Sequence, residues 1–299
     1  MSDNQSYQKT LKKSVVCSGI GLHSGQPVNL CIKPAPINSG IVFRRVDLSS
    51  QKTLRAFYTN LISVQYATSL GHGEVIVKTV EHLLACLMGL EIDNALIELD
   101  AEEVPVFDGS ADVFVGLLQG AGIQTQKGVR KYIKVHRPIE LYEKDMGISI
   151  VPHPTLRITY TIDFPHPLLR NQTRTIDLSQ ESFIKEIAPA RTFCLYEEVE
   201  HLRRQGLAKG GSLENAIVIG QDRIYNQSLR FEDECVRHKI LDLIGDLALL
   251  GARVLGHITV YKGGHQLHSK LVKEILQKKD FWAYTSSNGY GTSLLRQNR

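Results

Sequence analysis

The sequence predicts an α+β fold made of two similar units that face each other, each a sheet packed with helices. Three observations predict it. The chain has 299 residues, room for two domains of about 150 residues each. Short alternating apolar segments bounded by Gly, Pro and Asn share the chain with longer runs of helical period. The two halves also echo each other, with a histidine-bearing helix followed by a strand in each, His82 to Leu99 and His238 to Tyr261. Two facing α+β units explain that echo.

In the first half, Val28–Ile32 and Gly40–Phe43 read as strands. From Thr79 to Leu90 the pattern becomes a continuous apolar helix, with Thr79 a candidate N-cap, and a strand follows at Ala95–Leu99. The turn Val104–Ser110, carrying Pro105 and Gly109, leads into a helix over Ala111–Gly120. The polar, basic segment Gln124–Lys131 is the best linker candidate, so the expected domains are 1–126 and 132–299. The second half restarts with strands at Tyr132–Leu141, Ile148–Val151 and Leu156–Ile162. A polar helix-like stretch over Leu178–Ile187 precedes an irregular region from Thr192 to Gly220. The strongest helix spans Phe231–Leu250 and feeds a strand at Gly256–Tyr261.

Composition narrows the function classes. Hydrophobic residues make up 42% and charged residues 22%, which supports packed cores rather than disorder. Thirty-five Lys and Arg against 31 Asp and Glu leave a formal +4. That excess suits an acidic small-molecule substrate but lacks the clustered basic residues of a nucleic-acid surface. Five scattered cysteines form no C-x-x-C pair, which argues against a disulfide framework or a thiolate zinc knuckle. The polar Met1–Thr10 has no apolar core of a secretory signal, and Leu241–Val260 is broken by Asp242, Asp246, Arg253 and His257. The expectation is a cytoplasmic, monomeric chain with no transmembrane segment and no nucleic-acid partner.

Two helices carry the chemistry. In the Phe231–Leu250 helix, Val236, Ile240, Leu243, Ile244 and Leu247 form an apolar stripe, and His238, Asp242 and Asp246 stand opposite at i, i+4 and i+8. His238 and Asp242 can both reach one divalent ion. The alternative is a solvated polar face with an ordinary His–Asp pair. Glu81–His82 contains the only ionisable side chains of its acid–base kind in a helix that is otherwise apolar. Both residues sit in the first turn, where the helix dipole favours a carboxylate. A backbone carbonyl satisfying His82 is the alternative to a metal.

Together, His82, His238 and Asp242 give a tetrahedral zinc three ligands and leave one position for water. Glu81, beside a ligand, is then the candidate to take that water's proton. The loop Lys262–Gly263–Gly264–His265 can bend His265 into a cleft as a general acid, kept charged by a carboxylate such as Asp246, and an exposed loop histidine is the alternative. Arg191–Thr192–Phe193 offers a hydroxyl for a developing oxyanion, though the tripeptide alone is too common to point to one.

Several stretches match one family in order along nearly the whole chain. They include Gly19-Ile20-Gly21-Leu22-His23-Ser24-Gly25, Thr79-Val80-Glu81-His82-Leu83, and Pro105 through Ala111. Ala190–Phe193, Arg230–Asp242 and Gly264–His265 continue the series. The chain resembles the LpxC family, zinc-dependent UDP-3-O-(3-hydroxyacyl)-N-acetylglucosamine deacetylases of Gram-negative lipid A synthesis. The resemblance implies a zinc site in the cleft between the two domains, with His82, His238 and Asp242 as ligands; a donor set of two His and one carboxylate admits iron as well. It implies Glu81 as general base, His265 as general acid oriented by Asp246, Thr192 beside the oxyanion and Lys239 as a substrate contact. Phe193, Phe164, Leu22 and His23 fall where the family lines its substrate and acyl passage, and the insert 193–220 would form that passage's wall. Two departures stand out: Cys235 where the family usually has Phe, and Gly263 where many members have Ser.

The expected reaction is therefore removal of the 2-N-acetyl group from a UDP-sugar bearing a 3-O-acyl chain. Another zinc amidase acting on acetylated sugars, or a non-catalytic nucleotide or acyl-chain binding protein, are the competing readings. The polar C-terminus, Arg296–Arg299, says nothing about turnover signals.

Overall fold

The computed structural model describes residues 6–50 and 52–286, so the C-terminal Arg296–Arg299 lies outside the described residues. Its helices are α1 (Glu81–Gly89), α2 (Asp112–Ala121), α3 (Gln180–Ser182), α4 (Tyr196–Arg204), α5 (Glu234–Leu247) and α6 (His265–Gln277). The α+β class holds.

A five-stranded sheet runs in the order Val15–Ile20, Pro27–Pro34, Ala95–Leu99, Ile41–Arg45, Thr53–Arg55. A second, seven-stranded sheet takes its strands from residues 132–285. Its long strand Arg253–Tyr261 pairs in parallel with Tyr132–Val135 and Leu156–Ile162, and antiparallel with Met146–Val151. Strict alternation of burial along Leu156–Ile162 shows why its sequence reads so clearly as a strand, since one face packs on the core.

Helices α1 and α5 pack directly on each other in the middle of the molecule. A Cβ built on Gly245 would lie 2.1 Å from the Glu81 carbonyl oxygen, so only glycine permits this crossing. The contact falls where the functional side chains leave both helices. Every residue of α1 except Met88 is buried, and every residue of α5 except Lys239. The polar ladder of α5 is thus no solvated face: His238, Asp242 and Asp246 are all at most 3% exposed. A left-handed Gly251 (φ 70°) stops the turn that follows α5.

Several sequence expectations need correction. Thr79 does not cap α1. It sits at φ 54° and gives its hydroxyl to Glu103, while Val80 occupies the cap position without a side-chain bond. The linker candidate Gln124–Lys131 is instead largely the strand Ile123–Val129, paired antiparallel with Tyr7–Leu11. Its exposed, alternating polar residues belong to a two-stranded ribbon whose outer face meets solvent. Tyr132–Leu141 splits into two strands, Tyr132–Val135 and Ile139–Glu143, around Pro138, which has no N–H for a ladder. The helix-like stretch is only α3 followed by a π-helical turn, Phe183–Ile187. The region Thr192–Gly220 holds α4 between two short parallel strands, Phe193–Leu195 and Ile217–Ile219. His265 is the first residue of α6 rather than part of a free loop.

Candidate metal centre

The first turn of α1 and the middle of α5 bring three ligand atoms together. His82 Nε2 lies 3.6 Å and His238 Nε2 3.4 Å from Asp242 Oδ1, with the two imidazole rings 4.8 Å apart and perpendicular. Ligand atoms at bonds of about 2.05 Å around a tetrahedral ion are separated by roughly 3.3 Å. Both distances to Asp242 Oδ1 fit that spacing, and all three ligand atoms lie within 4.8 Å of one another. His238 Nδ1 donates to the Ala190 carbonyl at 3.0 Å, which leaves Nε2 unprotonated and turned to the cluster. Burial lowers His238 to about 4, keeping it neutral as a ligand must be. Burial opposes charge on Asp242, yet Lys239 together with His238, His265 and His82 outweighs it and holds the carboxyl well below the usual range. Lys239 Nζ takes Oδ2 at 2.6 Å, so Oδ1 remains for the two histidines. Two imidazoles and one carboxylate suit a divalent ion such as zinc or iron.

A second set, Asp246, His265 and His268, also converges. Here the geometry differs. His265 Nδ1 and His268 Nδ1 donate to the same oxygen, Asp246 Oδ2, at 2.7 and 2.8 Å, and Thr68 Oγ1 donates to Oδ1 at 2.5 Å. This carboxylate accepts three hydrogen bonds, which tie it to both imidazoles and to Thr68. His268 is completed by the Tyr160 hydroxyl at 3.0 Å.

Asp246 leaves His265 Nε2 facing inward, 3.7 Å from Glu81 Oε1 and 3.9 Å from Asp242 Oδ2. Burial disfavours charge on His265, but Asp246, Asp242 and Glu81 prevail and raise it to about 9. Burial raises Glu81 above the ordinary glutamate value, which makes it a better base. Its Oε2 accepts from the Thr68 amide at 3.0 Å, fixing the carboxyl plane. Glu81 and His82, adjacent on one helix, reach the same space because that space lies at the helix mouth rather than along one side.

The remaining expected residues fall around this centre. Lys239, Thr192, Phe193, Leu22 and His23 line a cavity of about 390 Å³ together with the cluster. Leu22, His23, Thr192 and Phe193 also line a second, more apolar cavity of about 490 Å³, whose wall is α4 and the turn that follows it. Phe193 stands at the junction, its ring 6.5 Å from His238 and under the Lys239 ammonium at 5.9 Å. Phe164 touches Phe193 edge-on at 5.8 Å but lines a separate cavity with Asp163, Arg170 and Lys262. Of the departures, Gly263 is the consequential one. A Cβ there would lie 2.3 Å from Val260 and 3.0 Å from the Tyr160 hydroxyl, so this chain holds the approach to His265 without one.

Sequence reasoning missed Thr68, His268, Tyr160 and Glu103. Glu103 is 2% exposed and accepts from the His23 and Ser24 amides and the Thr79 hydroxyl, pinning the Leu22–Ser24 loop to the base of α1. No local pattern marks these residues, because each acts across the fold.

The comparisons with known proteins define the chain as a hydrolase. It belongs to the LpxC family, described as UDP-3-O-acyl N-acetylglycosamine deacetylase, whose model matches residues 8–277. A relative from Legionella pneumophila named UDP-3-O-acyl-N-acetylglucosamine deacetylase is 47% identical over 281 residues, 93% of this chain and 92% of the relative. Relatives with that name from Saccharophagus degradans (47% identity, 92% of each chain) and Syntrophotalea carbinolica (46%, 94% of this chain and 91% of the relative) agree.

Proposed function

We propose that the chain is a zinc-dependent deacetylase of lipid A biosynthesis, hydrolysing the 2-N-acetyl group of UDP-3-O-acyl-N-acetylglucosamine to acetate and the free amine. The observation that carries this reading is the buried convergence of His82, His238 and Asp242 beside Glu81 and His265. The names of the relatives support the substrate. The apolar cavity next to the cluster suits an acyl chain, and Lys239 suits an anionic substrate.

His82, His238 and Asp242 would hold the ion. Bound there, a divalent ion supplies Lewis acidity to water and to the amide carbonyl. Glu81 takes the proton of the attacking water at Oε1, its other oxygen being engaged by Thr68. Thr192 donates its hydroxyl to the carbonyl oxygen as charge builds there. His265 holds a proton at Nε2 and passes it to the departing nitrogen, while Asp246 fixes the ring through Nδ1. Leu22, His23 and Phe193 direct the acyl chain into the apolar cavity, and Phe164 flanks the approach from the adjoining pocket.

Two units divided near 126–132 fit the separate origins of the two large sheets. A single chain contributes every proposed site residue, which fits a monomer. Among the described residues no helix is long and apolar enough to cross a membrane, in keeping with work on a cytoplasmic nucleotide-sugar. The test is acetate release by the zinc-loaded protein from the acylated UDP-sugar and from its counterpart lacking the acyl chain. Release from the acylated sugar alone is expected. Equal turnover of both would favour a general amidase, and no release from either would overturn the proposal.

A further inference from the structure

We propose that Glu234 is a positioning residue that locks the segment Ala190–Thr192 onto α5, and thereby sets the His238 ring and the Thr192 hydroxyl in register with each other. The part concerning His238 stands on geometry alone, and the part concerning Thr192 rests on the function proposed above.

Glu234 lies one turn before His238 on the same face of α5. Its side chain is 0% exposed, a place where a carboxylate survives only if its lone pairs are filled. They are filled by Arg191 from the neighbouring segment and by the Arg230 amide from the turn that leads into α5. Oε1 accepts from the Arg191 amide at 3.0 Å and from Arg191 Nε at 2.8 Å. Oε2 accepts from Arg191 Nη2 at 3.1 Å and from the Arg230 amide at 2.6 Å. The fork-on-fork pairing with Arg191 fixes orientation as well as distance.

Arg191 is flanked by the two groups that matter. The preceding carbonyl, Ala190, receives the His238 Nδ1 proton and so sets the ligand's tautomer. The following residue is Thr192, whose amide donates to the Gly109 carbonyl at 2.9 Å and whose carbonyl accepts from Ile217 at 2.7 Å. Those two bonds tie Thr192 to the turn Val104–Ser110 and to the strand Ile217–Ile219, and neither bond reaches α5. Glu234 ties Arg191, which lies between those two groups, to the first turn of α5 through backbone and side chain together. Without it, the contacts holding this stretch to α5 include the His238–Ala190 bond itself and the Arg237 bond to the Glu186 carbonyl further back.

The experiment compares the wild type with Glu234→Gln, Glu234→Asp, Arg191→Lys and the Glu234→Gln/Arg191→Lys double variant. Zinc affinity is read by competition with a chromophoric chelator, kcat and KM by acetate release, and folding by thermal unfolding. Glutamine keeps the shape but replaces one acceptor oxygen with a donor facing Arg191. We expect Glu234→Gln to weaken zinc roughly 10–100-fold, as loss of a partner behind a ligand does. At saturating zinc, kcat should drop while KM moves little, because Thr192 acts on the developing charge. Aspartate, too short for the fork, should fall near glutamine, and the double variant should be no worse than Glu234→Gln alone. A Glu234→Gln protein that melts earlier yet keeps wild-type zinc affinity and kcat would overturn the proposal. Should Glu234→Gln fail to fold, Arg191→Lys with unchanged zinc affinity and kcat would overturn it equally. If the wild type binds zinc but releases no acetate, the deacetylase reading fails, and zinc affinity still decides the role of Glu234.

Discussion

Glu81 and His265 face each other across 3.7 Å, and their surroundings suit them to opposite tasks. Burial raises the carboxyl, and three carboxylates outweigh burial to raise the imidazole to about 9. Replacing Glu81 by Gln should keep the ion bound and cut turnover by about two orders of magnitude or more. Metal content and kcat on one preparation check this. For His265 the sign is that of a raised base: the protonated acid is present below about pH 9 and lost above it. A positive ion bound nearby moves that value down, so the basic limb of kcat/KM should fall at or below pH 9. His265→Ala should change that limb, and an unchanged profile would remove His265 as the acid. At this scale the sequence was legible wherever spacing carries chemistry, as in His238–Asp242 one turn apart. Thr68 was not legible, because its hydroxyl meets Asp246 across 178 positions of chain.

Helices α1 and α5 owe their close crossing to Gly245. Gly245→Ala would press a methyl group onto the Glu81 carbonyl, and overpacking of this kind costs about 1–3 kcal/mol. The melting temperature should fall, and zinc affinity with it, since His82 and Asp242 sit on opposite helices. Loss of stability without loss of affinity would show that the ligands are held some other way. The start of α5 has its own pH signature. Burial resists the Glu234 charge, but Arg191 and two backbone amides win and keep its pKa below the ordinary 4.5. Its stabilisation is therefore complete above about pH 4.5 and fades as the pH falls below that value. Thermal unfolding between pH 6 and pH 3 should show Glu234→Gln losing less stability on acidification than the wild type. In α4, Leu202→Trp should narrow the apolar cavity and raise KM for long acyl chains more than for short ones. Helices α1 and α5 were readable in the sequence because they are apolar or periodic over many residues. Helix α4, Tyr196–Arg204, was hidden by its run of Glu, His and Arg around only Val199 and Leu202. Strand Ile123–Val129 was hidden likewise, its polar face turned to solvent.

The whole molecule joins two sheets from successive parts of the chain through one helix pair, and the candidate centre sits where that pair crosses. An ion bound there links the two halves, so binding is also folding free energy. With zinc at about 1,000 times its dissociation constant, the loaded protein should be ~4 kcal/mol more stable than the chelated one. Denaturant unfolding with and without chelator measures it. The α+β class was visible in the mixture of alternating and helical patterns, whereas the small ribbons and the split strand at Pro138 depend on pairings that no local pattern announces. The central claim is that three side chains from two helices meet on one ion. X-ray diffraction from zinc-loaded crystals, with anomalous data at the zinc edge, tests it most directly. One peak about 2.0–2.2 Å from His82 Nε2, His238 Nε2 and Asp242 Oδ1 is the predicted result. Zinc bound elsewhere, with these three atoms left without it, would contradict the account.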